Sequence, residues 1–173
     1  NLRKGFINLP LTAARIIASN DYQDETLTTT GGSEVSPGGI LAKEGIIYSI
    51  NRVNAATDKA ARIVAKNNTT GELQWDGIAL PPDLDDTAVV TVNMLTRMAG
   101  ATDTPVITVG AFFGVGDTDC GGDTAALSAT VAQKTVTLAA VDVRAYPNFL
   151  NITLIPGAHT TDAWWLYGLW IEY

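Results

Sequence analysis

The sequence has very few of the residues on which enzyme catalysis and metal binding usually depend. Its 173 residues include one cysteine and one histidine. A disulfide within the chain and a cage of cysteine and histidine ligands around a metal are therefore excluded. Cys120 and His159 could still pair as nucleophile and base, but the acidic loop around Cys120 disfavours a reactive thiolate, so an incidental loop cysteine is the better interpretation. We predict that the chain is not an enzyme and has no catalytic residue and no cofactor.

Charged residues are also scarce, and the surplus is negative. They make up 17% of the chain, against about 25% in an average soluble domain, and the formal net charge is -7. Nucleic acid repels such a surface, and no apolar run approaches the ~20 residues of a membrane-spanning helix. The sequence also has no basic-then-apolar leader. We therefore predict that neither nucleic acid nor a membrane is a partner, and that the protein is made in a cytoplasm.

The charge is unevenly distributed along the chain. Residues 1–66 carry eight basic and six acidic residues, a net of +2, whereas residues 67–173 carry three basic and twelve acidic residues, a net of -9. Residues 20–45 are rich in glycine and threonine and include the turn-forming stretches 28–32 and 36–39, which is typical of a loop. We therefore predict an N-terminal arm and linker over residues 1–45 and a separate domain over residues 46–173.

Alternating apolar residues predict strands throughout the second segment. Residues 87–98 alternate well, residues 105–113 follow after a short turn, and residues 150–154 repeat the pattern. The short connection predicts that the first two strands form an antiparallel hairpin. Residues 133–143 predict a further strand, and residues 55–66 fit a helix or a strand, of which we favour the strand. The predicted fold class is all-β: an antiparallel β-sandwich or jelly roll with an extended N-terminal arm.

The last eleven residues are apolar on both faces of the predicted strand. The odd-numbered positions from Ala163 to Tyr173 are all apolar, and Trp164, Leu166 and Trp170 occupy even positions. A strand with one solvated face should alternate. We therefore predict that both faces are covered, one by the core and the other by a loop, the N-terminal arm or another subunit.

One acidic loop could bind calcium. Asp117, Asp119 and Asp123 lie on a glycine-rich stretch, and carboxylate oxygens are the ligands that calcium prefers. The pattern departs from an EF-hand loop at its fifth and twelfth positions, which are Gly121 and Ser128. We therefore predict no metal site and keep these three residues as weak candidates, because aspartate and glycine are also common in solvated turns.

The tryptophans could form a platform for carbohydrate, because aromatic rings pack against the C–H faces of sugars. There are four: Trp75, Trp164, Trp165 and Trp170. Three of them lie in the last strand, where burial in the core or between subunits is the favoured interpretation. A carbohydrate site would require Trp75, Trp164 or Trp165 to be accessible in a concave patch. The acids of residues 83–86 lie beside two prolines and are typical of a solvated loop, which disfavours a glycosidase.

Five segments together resemble a known group of proteins. They are Leu9–Asp21, Arg52–Ala60, Ala79–Thr87, Asn151–His159 and Leu166–Tyr173. In this order, and with the predicted hairpin between the third and the fourth, they resemble small virion proteins of tailed bacteriophages that are also found in prophages. The resemblance covers nearly the whole chain and rests on turns and strand ends.

The resemblance implies a jelly-roll body with an N-terminal arm and a structural function in the virion. It implies a capsid decoration, or cement, protein that binds the major capsid protein or another virion protein as a homotrimer. The expected location is the capsid surface, after assembly in the host cytoplasm. The alternative is a glycan- or receptor-binding module of a phage tail or head fibre. The predicted subunit or capsid interface comprises Arg3, Lys4, Phe6, Arg15, Trp164, Trp165, Tyr167, Trp170 and Tyr173.

Overall fold

The computed structural model describes residues 5–17, 39–43, 46–49, 61–65, 71–82, 84, 89–114, 118–139 and 149–173. Over these residues the chain forms strands β1 Phe6–Asn8, β2 Arg15–Ile17, β3 Gly39–Lys43, β4 Ile46–Ser49, β5 Arg62–Ala65, β6 Glu72–Ile78, β7 Thr91–Met98, β8 Ile107–Phe112, β9 Gly122–Asp123, β10 Ala132–Thr137, β11 Leu150–Pro156 and β12 Trp164–Glu172. A 3₁₀ turn, Leu11–Ala13, separates the first two strands. No helix in these ranges is long and apolar enough to cross a membrane.

The strands form two antiparallel sheets. The larger sheet has the order β10-β7-β12-β5-β4-β3, and β1 also pairs with β12. The smaller sheet has the order β2-β6-β11-β8-β9. Long-range antiparallel pairing of this kind, with the apolar faces of the two sheets turned toward each other, is a β-sandwich of the jelly-roll type. The predicted fold class is confirmed.

The segment predicted as an arm contributes strands to both sheets. In the larger sheet, β1 pairs with the C-terminal half of β12 and β3 pairs with β4. In the smaller sheet, β2 pairs with β6. The turn between β1 and β2 is fixed to the body as well, because the indole nitrogen of Trp75 donates to the carbonyl oxygen of Pro10 at 2.9 Å. The division of the chain at residue 45 stays a prediction.

The core lies between the sheets and is formed by alternate residues of the central strands. Leu150, Ile152 and Leu154 of β11 are fully buried, as predicted from their spacing. Across the core, Val92 and Met94 of β7 are buried in the same way. Each such side chain stabilises the fold by roughly 1.5–3 kcal/mol relative to exposure. The core therefore holds the two sheets together and leaves their outer faces to solvent or a ligand.

The predicted hairpin of β7 and β8 is wrong, because the two strands belong to different sheets. β7 pairs with β10 and β12, whereas β8 pairs with β9 and β11. The connection between them, residues 99–106, crosses from one sheet to the other. Both strands bury their apolar faces in one core from opposite sides, so the same alternation fits a hairpin and a crossover. The apolar pattern identifies the inward residues but not the sheet.

The crossover is fastened by two carboxylates that cap each other's backbone. A side-chain oxygen of Asp103 accepts hydrogen bonds from the amides of Thr161 and Asp162, at 2.6 and 2.7 Å. In return, the Asp162 side chain accepts from the amides of Thr102 and Asp103, at 2.7 and 3.0 Å. The pairing ties the turn after β7 to the turn before β12.

We expect the hydrogen bonds accepted by Asp103 to make the stability of the protein depend on pH. The amides of Asp162 and Thr161 donate to the ionised carboxylate and hold the pKa of Asp103 below its ordinary value of 3.8. A depressed folded-state pKa gives stabilisation that is complete above the unfolded value and is lost as the pH falls through the folded value. Asp103→Asn should therefore melt at a lower temperature than the parent at neutral pH, and the difference should shrink below pH 3.8. A difference that stays constant with pH would contradict the assignment.

In the middle of β12 the residues that point into the core change from even-numbered to odd-numbered positions. The register of β12 against β7 pairs Leu166 with Thr96 and then Gly168 with Leu95, so Tyr167 is an additional residue in a β-bulge. Before the bulge even-numbered residues point into the core, and after it odd-numbered residues do. The odd-numbered residues, all apolar, therefore do not share one face of the strand. The inward set is Trp164, Leu166, Leu169 and Ile171, all fully buried.

Candidate functional site

The candidate site is the outer face of the larger sheet, where β1 lies beside the C-terminal half of β12. A groove of about 280 Å³ opens there, and it is lined by Phe6, Asn8, Trp170 and Glu172. The antiparallel register places Asn8 opposite Trp170 and Phe6 opposite Glu172. Phe6 is 71% exposed, the largest exposure among the large apolar side chains of the described residues. Two aromatic rings and two polar side chains therefore share one groove.

The groove is held in a fixed geometry. The indole nitrogen of Trp170 donates to a carboxylate oxygen of Glu172 at 2.9 Å. The ring also extends along the strand, since a Cβ placed on Gly168 would lie 4.0 Å from its Cζ3 atom. The amide of Asn8 and the Glu172 carboxylate provide hydrogen-bonding groups beside the rings. Such a surface suits a ligand that has both C–H faces and hydroxyl groups.

A polar network lies on the strands next to this groove. Asn93, opposite Trp170 in β7, is 1% exposed. Its side-chain oxygen accepts hydrogen bonds from Gln133 at 3.0 Å and from the Thr135 hydroxyl at 2.6 Å, and its nitrogen donates to the Thr91 hydroxyl at 2.9 Å. These bonds satisfy a buried amide and join β7 to β10. The network therefore stiffens the sheet beside the groove.

An aromatic ring flanked by two arginines lies further along the same face. The guanidinium carbon of Arg62 lies 3.9 Å from the centroid of the Trp165 ring, and that of Arg97 lies 4.4 Å away. The two arginines come from β5 and β7, which pair with β12 on opposite sides. Each contact is a cation–π interaction. Trp165 is half-buried as a result, and its ring is already engaged within the protein.

The outer face of the smaller sheet is polar and carries an ion pair. A guanidinium nitrogen of Arg15 lies 2.5 Å from a carboxylate oxygen of Asp76, with both side chains partly exposed. Gln74 also donates to Asp76. Exposed ion pairs contribute little to stability. Arg15, predicted at an interface, thus lies on the other sheet from the groove.

The predicted interface residues separate into several environments. Phe6, Trp165 and Trp170 are brought together on the outer face of the larger sheet. Trp164 is fully buried, so its prediction as an interface residue is wrong. The bulge turns it inward, where its indole nitrogen donates to the Thr96 hydroxyl at 2.6 Å.

The remaining predicted interface residues contribute little to the groove. Tyr167 is the half-buried additional residue of the bulge. Tyr173 packs against the core and over Gly5, where a Cβ would meet its ring. Arg3 and Lys4 lie outside the described residues.

The acids of the loop with the weak calcium candidates are used within the protein where the structure describes them. One side-chain oxygen of Asp119 accepts from the amides of Ala111 and Gly121, both at 2.8 Å. Asp123 accepts from a β8 hydroxyl at 2.7 Å. Asp117 lies outside the described residues, and among the described ones no group of three or more metal-ligating side chains is found. The two aspartates act as turn and cross-strand acceptors.

Cys120 and His159 are both buried, at 2% exposure. The thiol donates to the carbonyl oxygen of Ala111 at 3.2 Å, and the His159 Nδ1 atom lies 2.7 Å from the carbonyl oxygen of Gly157. Cys120 is therefore a buried residue rather than a loop thiol open to solvent. Asp83, Asp85 and Asp86 lie outside the described residues.

Two of the four tryptophans are excluded from a carbohydrate platform by burial, Trp75 at 2% and Trp164 at 0%. Trp165 is covered by its arginine contacts. The requirement for an accessible Trp75, Trp164 or Trp165 is therefore not met. The tryptophan that lines the groove is Trp170, together with Asn8 and Glu172, which no motif in the sequence marks. The signal that could have found them is the pairing of β1 with β12, because it brings residues 6–8 beside residues 170–172.

Comparison with solved structures finds the same fold in carbohydrate-binding modules. A family 35 carbohydrate-binding module from Clostridium thermocellum matches with a TM-score of 0.53 and 11% identity, over 96% of this chain and 97% of that one. A xylan-binding module of family 15 matches with a TM-score of 0.51 and 12% identity, over 98% and 97%. No family model and no curated protein matches the sequence. The likeness establishes a shared jelly-roll β-sandwich.

Proposed function

We propose that the protein is a glycan-binding module that acts without catalysis and binds its ligand in the groove between Phe6 and Trp170. The observation that carries the proposal is the composition of this groove: two aromatic rings, an amide and a carboxylate on neighbouring strands. Full-length structural similarity to carbohydrate-binding modules supports it. This is the alternative that the sequence left open.

Binding would follow from the two kinds of group in the groove. A sugar ring would lay a C–H face against the Trp170 indole, and Phe6 would cover its edge. Asn8 and Glu172 would bond its hydroxyl groups, the carboxylate as acceptor and the amide as donor and acceptor. Because β1 and β12 are paired strands, these groups are positioned before the ligand arrives, and little entropy is lost in ordering them. No covalent step is involved.

Capsid decoration, the major capsid protein as a partner and the homotrimer gain no support from the comparisons or from the described residues. The last strand was the main reason for expecting a subunit interface. Its apolar excess is explained in part by the bulge, which places Trp164 and Leu166 as well as Leu169 and Ile171 in the core of one chain. The predicted location on the capsid surface, after assembly in the host cytoplasm, stays a prediction, as does the alternative location in a tail or head fibre.

The groove is tested by a matched pair of phenylalanine substitutions. Phe6, 71% exposed, lines the groove, and Phe149, 41% exposed, does not line it. Affinity electrophoresis through xylan, β-glucan, galactan and chitin-derived gels should show retardation by at least one polysaccharide. Phe6→Ala should weaken that retardation about tenfold, since part of an aromatic contact is lost, and Phe149→Ala should leave it unchanged. Equal effects of the two substitutions, or no retardation in any gel, would contradict the proposal.

A further inference from the structure

The outer face of the larger sheet carries a positive charge that the groove does not use. Arg97 of β7 stands directly opposite Trp165 of β12, and its guanidinium carbon lies 4.4 Å from the indole centroid. Its Nε atom is buried without a hydrogen-bond partner, and no carboxylate of the described residues forms an ion pair with it. Arg97 is one of three basic residues in the segment 67–173, whose net charge is -9.

We propose that Arg97 binds an acidic substituent, a carboxylate or a sulfate, of a glycan whose neutral part occupies the groove at Trp170. The inference rests on the proposed function, because it extends that same face by a second subsite. Guanidinium groups recognise carboxylate and sulfate oxygens through paired hydrogen bonds in one plane. The contact with the Trp165 ring fixes that plane. The exposed part of the half-buried side chain is then available to the ligand.

The position of Arg97 suits a ligand that also reaches the groove. Trp165 and Trp170 lie on the same strand and on the same face, and five residues of strand span roughly 13–17 Å. A short oligosaccharide can cover this distance. Between the two tryptophans Gly168 has no side chain, and its partner Leu95 in β7 is 38% exposed. A ligand that reaches both tryptophans would therefore pass over Gly168 and beside the apolar side chain of Leu95.

The two ends of this face carry opposite charges. Glu172 places a negative charge in the groove, where it disfavours an acidic sugar. Arg97 lies at the other end, and Arg62 adds a second guanidinium on the far side of the Trp165 ring, 3.9 Å from its centroid. A cation that is partly removed from water interacts more strongly with an anion than a fully solvated one does. Neutral sugars at Trp170 and an acidic group at Arg97 are therefore the favoured arrangement.

The test compares neutral and acidic ligands of the same backbone. Xylotetraose is measured against the same oligosaccharide bearing glucuronic acid, and a neutral galactan oligosaccharide against its sulfated form, by calorimetry at low and high salt. The parent protein should bind at least one acidic ligand about 10- to 100-fold more tightly than its neutral counterpart. High salt should reduce this preference and leave neutral binding unchanged. The two pairs show whether the carboxylate or the sulfate is the group recognised.

Variants at Arg97 distinguish loss of the positive charge from loss of the folded structure. Arg97→Gln should abolish the preference and retain neutral binding, which also shows that the variant is folded. Arg97→Lys keeps the positive charge but loses the planar guanidinium with its paired donors, so it should retain only part of the preference for the acidic ligand. Equal binding of neutral and acidic ligands by the parent, or an unchanged preference in Arg97→Gln, would overturn the second subsite while leaving the groove in place. Binding of neither ligand class would overturn the proposed function itself, and the subsite with it.

Discussion

Replacement of Trp170 by alanine is expected to remove most of the affinity for glycan while leaving the protein folded. The indole is one of the two aromatic rings that line the groove and is held in position by its hydrogen bond to Glu172. Burying an aromatic side chain against a ligand is worth roughly 1.5–3 kcal/mol, which corresponds to about 10- to 150-fold in Kd. The measurement is calorimetric titration with the polysaccharide fragment that the parent binds best.

The control for this prediction is Trp170→Phe, which keeps an aromatic face but loses the indole nitrogen. Its affinity should lie between those of the parent and Trp170→Ala. Because the Trp170 side chain is on the outer face, thermal melting of both variants should remain close to that of the parent. A Trp170→Ala protein that binds as tightly as the parent would show that the ligand lies elsewhere.

Replacement of Trp164 by alanine is expected to have the largest effect on stability. The side chain is fully buried, its indole nitrogen donates to the Thr96 hydroxyl at 2.6 Å, and that hydroxyl donates to the carbonyl oxygen of Trp165 at 2.8 Å. Truncating a buried tryptophan leaves a cavity and typically costs about 3–5 kcal/mol. Urea unfolding should show this loss as a lower free energy of unfolding with a similar dependence on denaturant.

A smaller change at the same position isolates the hydrogen bond. Trp164→Phe retains most of the apolar contact but removes the donor to Thr96, so it should cost less than Trp164→Ala. A loss of under ~1 kcal/mol for Trp164→Ala, a value typical of surface positions, would mean that Trp164 is not in the core. It would also contradict the bulge at Tyr167, because the register without it would exchange the inward and outward residues.

The parts of the fold that follow from local pattern could be predicted from the sequence. Residues 150–154 alternate because one face of β11 meets the core, and the strand at Leu150–Pro156 confirms the prediction. The ambiguous segment 55–66 contains β5, Arg62–Ala65, in agreement with the favoured strand. In β11 burial of one face leaves a period of two in the sequence.

The parts that depend on long-range pairing could not be predicted in this way. A bulge adds one residue without a distinctive residue type, so the sequence does not reveal that the inward residues of β12 change from even to odd positions at Tyr167. The strands β7 and β8 have the pattern of a hairpin although they lie in different sheets. Which strands become neighbours depends on the packing of the whole sandwich and not on the residues of either strand.

For the candidate site, the sequence predicted the type of residue that takes part but not which residues lie together. Aromatic residues of the last strand were expected to contact a partner, and Trp170 lines the groove. Its neighbours Phe6 and Asn8 are more than 160 positions away in the sequence and reach it only through the β1–β12 pairing. Arg62 and Arg97 likewise meet Trp165 from two separate strands. The spacing of residues in the sequence does not predict contacts between strands that are distant along the chain.

The most direct test of the central claim is a nuclear magnetic resonance titration of the indole N–H groups with the best-binding oligosaccharide. The four tryptophans give four signals, one from each side chain, and that of Trp170 can be assigned from the Trp170→Phe variant. If glycan binds in the groove, the Trp170 signal should shift saturably, while those of the buried Trp75 and Trp164 should stay in place. Saturable binding that leaves the Trp170 signal unmoved would contradict the account.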